Sequence, residues 1–131
     1  EDMLEANRLV LSAMERDVRG EVDAKSQLDG NVVISEGARI TNSILRGPLV
    51  IGKDCVVADS YVGPFTSIGD GVHVEGSEIE YSIVLERSVI RNVPARIEGS
   101  LIGKDVTISR VDRKPQAFRF MIGDSSQVDV L

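Results

Sequence analysis

Seven-residue blocks recur along this chain at an interval of 17 residues: ISEGARI from Ile34, IGKDCVV from Ile51, IGDGVHV from Ile68, LERSVIR from Leu85 and IGKDVTI from Ile102. A period of that length marks stacked copies of one unit that cannot bury its apolar face alone. The apolar positions are six, five and six residues apart, a spacing that no helical stripe of period 3.6 follows. One column holds Ile34, Ile51, Ile68, Leu85 and Ile102. A second holds Ile40, Val57, Val74, Arg91 and Ile108, and a third Leu28, Leu45, Val62 and Ile79. Between the first two, Ala38, Cys55, Val72, Val89 and Val106 are small or β-branched, as a narrow interior requires. Three short β-faces per repeat satisfy these columns. The expected fold is therefore all-β, a triangular, single-stranded parallel β-solenoid of about five to six coils of 17 residues, each coil pairing with the next about 4.8 Å along the axis.

Corners between the faces need residues that tolerate tight backbone. Gly37, Asp54, Gly71, Ser88 and Asp105 form one such column, and Ser26, Ser43, Ser60 and Ser77 another, which Pro94 interrupts. The fourth coil is irregular, because Arg91 falls in an inward column and Ile97 comes one residue later than the third column predicts. Either a bulge re-registers that coil or its side opens.

The ends depart from the repeat. Residues Glu1 to Arg16 lack Gly and Pro and place Met3, Ala6, Val10 and Met14 at helical spacing, widened by Leu4 and Leu11. This predicts an N-terminal α-helix over residues 1–16, with acidic residues at its start. Residues 17–131 are assigned to the solenoid, ending in a tail in which Phe118 to Ile122 reads as a strand and Gly123 to Ser125 as a turn. That tail is expected to cap the last coil.

Composition narrows the function classes. The net charge is −6 and aromatic residues make up only 4%; no stretch is both basic and aromatic, so nucleic acid is not an expected partner. No long apolar run or leader pattern occurs, which points to a cytoplasmic protein without membrane partners. The single cysteine, Cys55, is expected to act as a small apolar filler. The opening Glu, with no initiator Met, leads us to expect a longer parent protein.

The residues also carry a resemblance. The repeat resembles the hexapeptide-repeat, left-handed β-helix proteins, and the left hand rests on that resemblance alone, since the usual crossover rule favours the opposite. EDMLEANRLVL at the start, the paired segments RGPLVIG (Arg46 to Gly52) and VGPFTSIG (Val62 to Gly69), and the closing MIGDSSQVDVL are similar to the C-terminal portion of long-form glucose-1-phosphate thymidylyltransferases. The resemblance implies that residues 1–16 link to an N-terminal nucleotidyltransferase domain outside this sequence. It implies that the Gly-rich loop, the sugar-nucleotide residues and the carboxylates for Mg²⁺ lie there too, so that this chain contributes no catalytic, cofactor or metal residue. The implied role is assembly or regulation of an enzyme of nucleotide-sugar synthesis, as a homo-oligomer.

Two other readings stay open: a hexapeptide acyltransferase acting on an amino sugar, or a free-standing structural solenoid. For the first, His73, the only histidine, is the candidate general base; beside inward Val74 it should point outward, and a solvated surface role is favoured. The repeated IGKD, at Ile51 to Asp54 and Ile102 to Asp105, suits a corner better than a phosphate site. Arg110, Arg113, Lys114 and Arg119 form a basic group expected to meet solvent or another subunit, and Asp124 and Ser125 to cap a turn.

Overall fold

The computed structural model describes residues 2–110. The expected strand and turn from Phe118 to Ser125, and the capping tail they belong to, lie outside the described residues. Seventeen short strands follow one helix and form three parallel sheets, the sides of a left-handed β-helix of about five turns. Face A stacks Asp17–Val18, Val32–Ile34, Leu49–Ile51, Thr66–Ile68, Ile83–Val84 and Leu101–Ile102. Face B stacks Glu21–Val22, Arg39–Thr41, Val56–Ala58, His73–Glu75, Val89–Arg91 and Thr107–Ser109. Face C stacks Gln27–Asp29, Ile44–Arg46, Tyr61–Val62, Glu78–Glu80 and Ile97–Glu98. Every strand pairing is with the neighbouring coil, so each coil finds its backbone partners one repeat away.

The core is a single narrow column of Val, Ile and Leu, with Ala38, Cys55 and Val106 among its smaller members. In the coils that begin at Ile34, Ile51 and Ile68 the columns follow the sequence period: Ile34 pairs with Ile51 and Ile51 with Ile68, and Leu45 with Val62. The fourth coil then departs from it. Ile68 pairs with Val84, not Leu85, and Val74 with Ile90, so Arg91 points outward and is exposed. Ser88 takes the buried position expected of Val89, and Arg87 the corner expected of Ser88. The cause is one residue fewer at the corner between Ile79 and Val84. An inward Arg91 would have required a buried, unpaired guanidinium, and the shorter corner avoids that. A longer corner from Ile90 to Ile97 restores the register, Ile79 pairing with Ile97 and Val84 with Ile102. The irregular coil is thus re-registered and its faces remain paired.

Left-handed backbone turns the chain at most corners. Between faces A and B it occurs at Gly37, Asp54, Gly71, Arg87 and Asp105; between B and C at Asn42, Asp59, Gly76 and Asn92; between C and A at Gly30, Phe65, Tyr81 and Gly99. Gly and Asn/Asp adopt this region at little cost, whereas Phe65, Tyr81 and Arg87 are held there against their preference by the coils on either side. Gly47, in the RGPLVIG segment, has a different reason: a Cβ there would collide with the backbone oxygen of Asn31.

The serine column forms a ladder. From Ser43 to Ser77 each hydroxyl donates to the carbonyl two residues before it and accepts the amide one coil further on: Ser43 accepts from Ser60, Ser60 from Ser77, and Ser77 from Val93; Ser26 accepts from the Ser43 amide but donates to the Asp23 carboxylate. Val93 occupies the place expected of Pro94, which has no amide hydrogen to give. By contrast, Thr66 Oγ1 is buried without a partner beside Leu49.

The helix, α1, spans Asp2–Ser12 and so ends short of Arg16, its last turn tightened by bonds from the Ala13 amide to Val10 and from Met14 to Leu11. It lies on face A at the Thr66–Ile68 strand. Leu11 is buried there, Leu4 and Met14 half-buried, and Asn7 donates to the Phe65 carbonyl and accepts from the Ser67 hydroxyl at 2.7 Å. Met3 and Val10, expected on the buried stripe, face away.

Urea denaturation should separate the two kinds of buried hydroxyl. Thr66→Val, which removes an unpaired one at nearly constant volume, should stabilise the protein by about 1 kcal/mol; Ser60→Ala, which orphans the Ser77 amide, should destabilise it by about 1–3 kcal/mol.

Candidate functional site

His73 lies on face B and, as expected, points outward, between Val56 and Val89 on the adjacent coils. Its Nε2 is 3.4 Å from Glu75 Oε1, which is also 3.6 Å from Arg91 Nε. The strand places both His73 and Glu75 on the outer surface because they flank inward Val74. The imidazole is one-third exposed, and the flat face around it supplies no enclosing wall.

A broader concavity lies elsewhere, along the corner between faces B and C, a groove of about 730 Å³. Its floor carries the serine ladder and Tyr61; its wall is the longer corner Asn92 to Arg96. Arg96 closes over the Tyr61 ring at 4.8 Å and pairs with Glu78 at 3.1 Å and Glu80 at 3.3 Å. Asn42 donates to Asp59 at 2.8 Å along the same edge. These groups largely satisfy one another, giving a charged, hydrated surface. The late position of Ile97 was the one sequence signal of this wall. His73 does not line the groove, and of the basic group Arg110 does; Arg113, Lys114 and Arg119, like Asp124 and Ser125, lie outside the described residues.

Both IGKD segments form corners. Asp54 and Asp105 sit in the left-handed region, and Asp105 accepts two bonds from Arg87, at 2.8 and 3.0 Å. Those bonds hold its carboxyl below the usual range. Cys55 is fully buried and its thiol donates to the Gly69 carbonyl at 2.9 Å. Burial pushes the thiol up to about 11, so it behaves as the expected filler. Among the described residues no cluster of three or more His, Cys, Asp or Glu is arranged to hold a metal. No helix among them is long and apolar enough to cross a membrane.

No family model matches the chain. It is 49% identical over 129 residues to a glucose-1-phosphate thymidylyltransferase of Streptomyces antibioticus and 47% identical over 129 residues to one of Streptomyces griseus. Each alignment covers 98% of this chain and 36% of the relative. The chain is a homologue of the C-terminal portion of glucose-1-phosphate thymidylyltransferases. A low-salt glycan biosynthesis nucleotidyltransferase, Agl11 of Haloferax volcanii, is 39% identical over 131 residues, again with 98% of this chain and 36% of the relative covered. The chain thus spans about a third of the length of these relatives.

The Cys55 thiol supplies a test of the packed core. An acid whose pKa is raised by folding keeps its proton in the native state after the unfolded chain has lost it. Stability should therefore fall as pH rises from the ordinary value of 9.0 towards about 11, by up to about 3 kcal/mol. Denaturation midpoints of the protein and of Cys55→Ala, compared across that range, should converge as pH rises.

Proposed function

We propose that this β-helix is a non-catalytic assembly and regulatory portion of a cytoplasmic, homo-oligomeric sugar-1-phosphate nucleotidyltransferase of the glucose-1-phosphate thymidylyltransferase kind. The observation that carries the reading is near-half identity over 98% of the chain to two relatives bearing that name. In the parent reaction an oxygen of the sugar 1-phosphate attacks the α-phosphorus of a nucleoside triphosphate. The new P–O bond forms as the bond to the β-phosphate breaks, yielding a nucleotide sugar and pyrophosphate. That step needs cationic groups around the phosphates, and we assign them to the part of the parent outside this chain, together with Mg²⁺. The β-helix supports a different task. Its coils are tied to one another through three sheets, so the prism is stiff along its axis and offers flat sides to other subunits.

Pyrophosphate release from dTTP and glucose 1-phosphate tests the reading directly. The 131-residue chain should show none, while the full-length protein should turn over in a metal-dependent manner. Turnover by the chain alone would overturn the non-catalytic assignment, and a full-length protein inert with every nucleotide and sugar phosphate tried would overturn the parent activity.

The His73–Glu75 pair favours one second reading, acyl transfer to an amino sugar, with His73 as general base oriented by the carboxylate. Acetyl-CoA-dependent acetylation that is lost in His73→Ala would establish it. Absence of acetylation by the unaltered protein would remove it.

A further inference from the structure

Helix α1 has a second apolar side that the prism does not use. Leu4 and Leu11 face the sheet, whereas Met3, Leu9 and Val10 are 55%, 58% and 63% exposed. The remainder of the helix is not generally apolar: Glu5 and Arg8 pair with each other, and Asn7 is engaged with Phe65 and Ser67. Leaving three large aliphatic side chains more than half exposed is unfavourable relative to burying them. A partner surface that covers them recovers part of that.

We infer that this outer side of α1 is the docking surface for the remaining portion of the same polypeptide in a full-length protein, and so sets how that portion is held against the β-helix. The inference rests on the reading above that the segment works within a longer chain. Two observations select this occupant over a second copy. First, about two thirds of the length of the first two relatives lies outside the aligned segment, so a covalently attached partner is at hand. Second, the patch is small. The three side chains expose together roughly 350 Å², less than half of the ~800 Å² per partner that a stable association between separate molecules buries. A tethered domain loses little translational freedom on docking. At an effective concentration on the order of millimolar, a contact of only ~0.1 mM affinity is closed about ten parts to one.

Oxidation of methionines by hydrogen peroxide reads this surface, because Met3 lies on it and half-buried Met14 lies against the prism. Met3 should oxidise about tenfold more slowly in the full-length protein than in the 131-residue chain, as the closed fraction requires, with Met14 unchanged. Val10→Asp in the full-length protein, an outward substitution that leaves the prism contact intact, should restore the faster rate. Equal Met3 rates in the two proteins would overturn the proposal. So would protection of Met3 in the 131-residue chain that grows with its concentration, which would make a second copy the occupant. Pyrophosphate release measured on the same full-length sample reports the parent activity separately, so a failure of docking and a failure of the functional reading are told apart.

Discussion

Pairing of each coil's backbone with the coil one repeat away is the constraint on which the rest of this structure depends. A strand of two or three residues has no stability by itself; it persists because its amides and carbonyls are satisfied above and below. For this to continue along the axis, each coil must bring its inward side chains back over those of the last. Ile34, Ile51 and Ile68 stack on one another for that reason, and the left-handed corners are what allow a turn of about 17 residues to close. The serine ladder repeats the same logic in side chains, each hydroxyl joining its own corner to the next.

The fourth coil shows how firmly inward columns govern register. A rigid 17-residue period puts Leu85 and Arg91 inside, yet the chain shortens one corner and lengthens another so that Val84 and Ile90 are buried instead. Apolarity alone does not choose between adjacent members of the run Ile83, Val84 and Leu85, since any of the three fills a column. Arg91 was the informative residue, because a guanidinium in so narrow a core would have no partner. The lengthened corner that compensates, from Asn92 to Arg96, builds the wall of the groove between faces B and C, so a correction in packing generates surface shape.

Function enters where regularity ends. The flat faces carry few groups that converge on a common point, and those that meet, such as His73 with Glu75 or Arg96 with Glu78 and Glu80, do so in shallow, hydrated settings. Helix α1 does not belong to the repeat, and it joins the prism through the two hydrogen bonds of Asn7 and a few aliphatic side chains while keeping an apolar side outward. The nucleotidyltransferases to which the chain is similar are nearly three times as long, and the proposed assembly role assigns the chemistry to the part outside this chain.

The fold was legible in the sequence because inward columns, corner residues and the serine column recur at one interval, and a repeated physical requirement leaves a repeated pattern. Cys55 as filler, His73 as an outward residue and the IGKD segments as corners were legible too, since each is decided by its neighbours along the strand. The extent and facing of α1 were not. Met3, Leu4, Val10 and Leu11 are all apolar, and which of them is buried depends on where Asn7 meets Phe65 and Ser67, residues some 60 positions away. The groove was hidden for the same reason, being formed by side chains from six successive coils that meet only once the chain is wound. Local spacing determined the prism; contacts between distant coils and between helix and face, which no spacing encodes, decided its irregularities and the surfaces it presents.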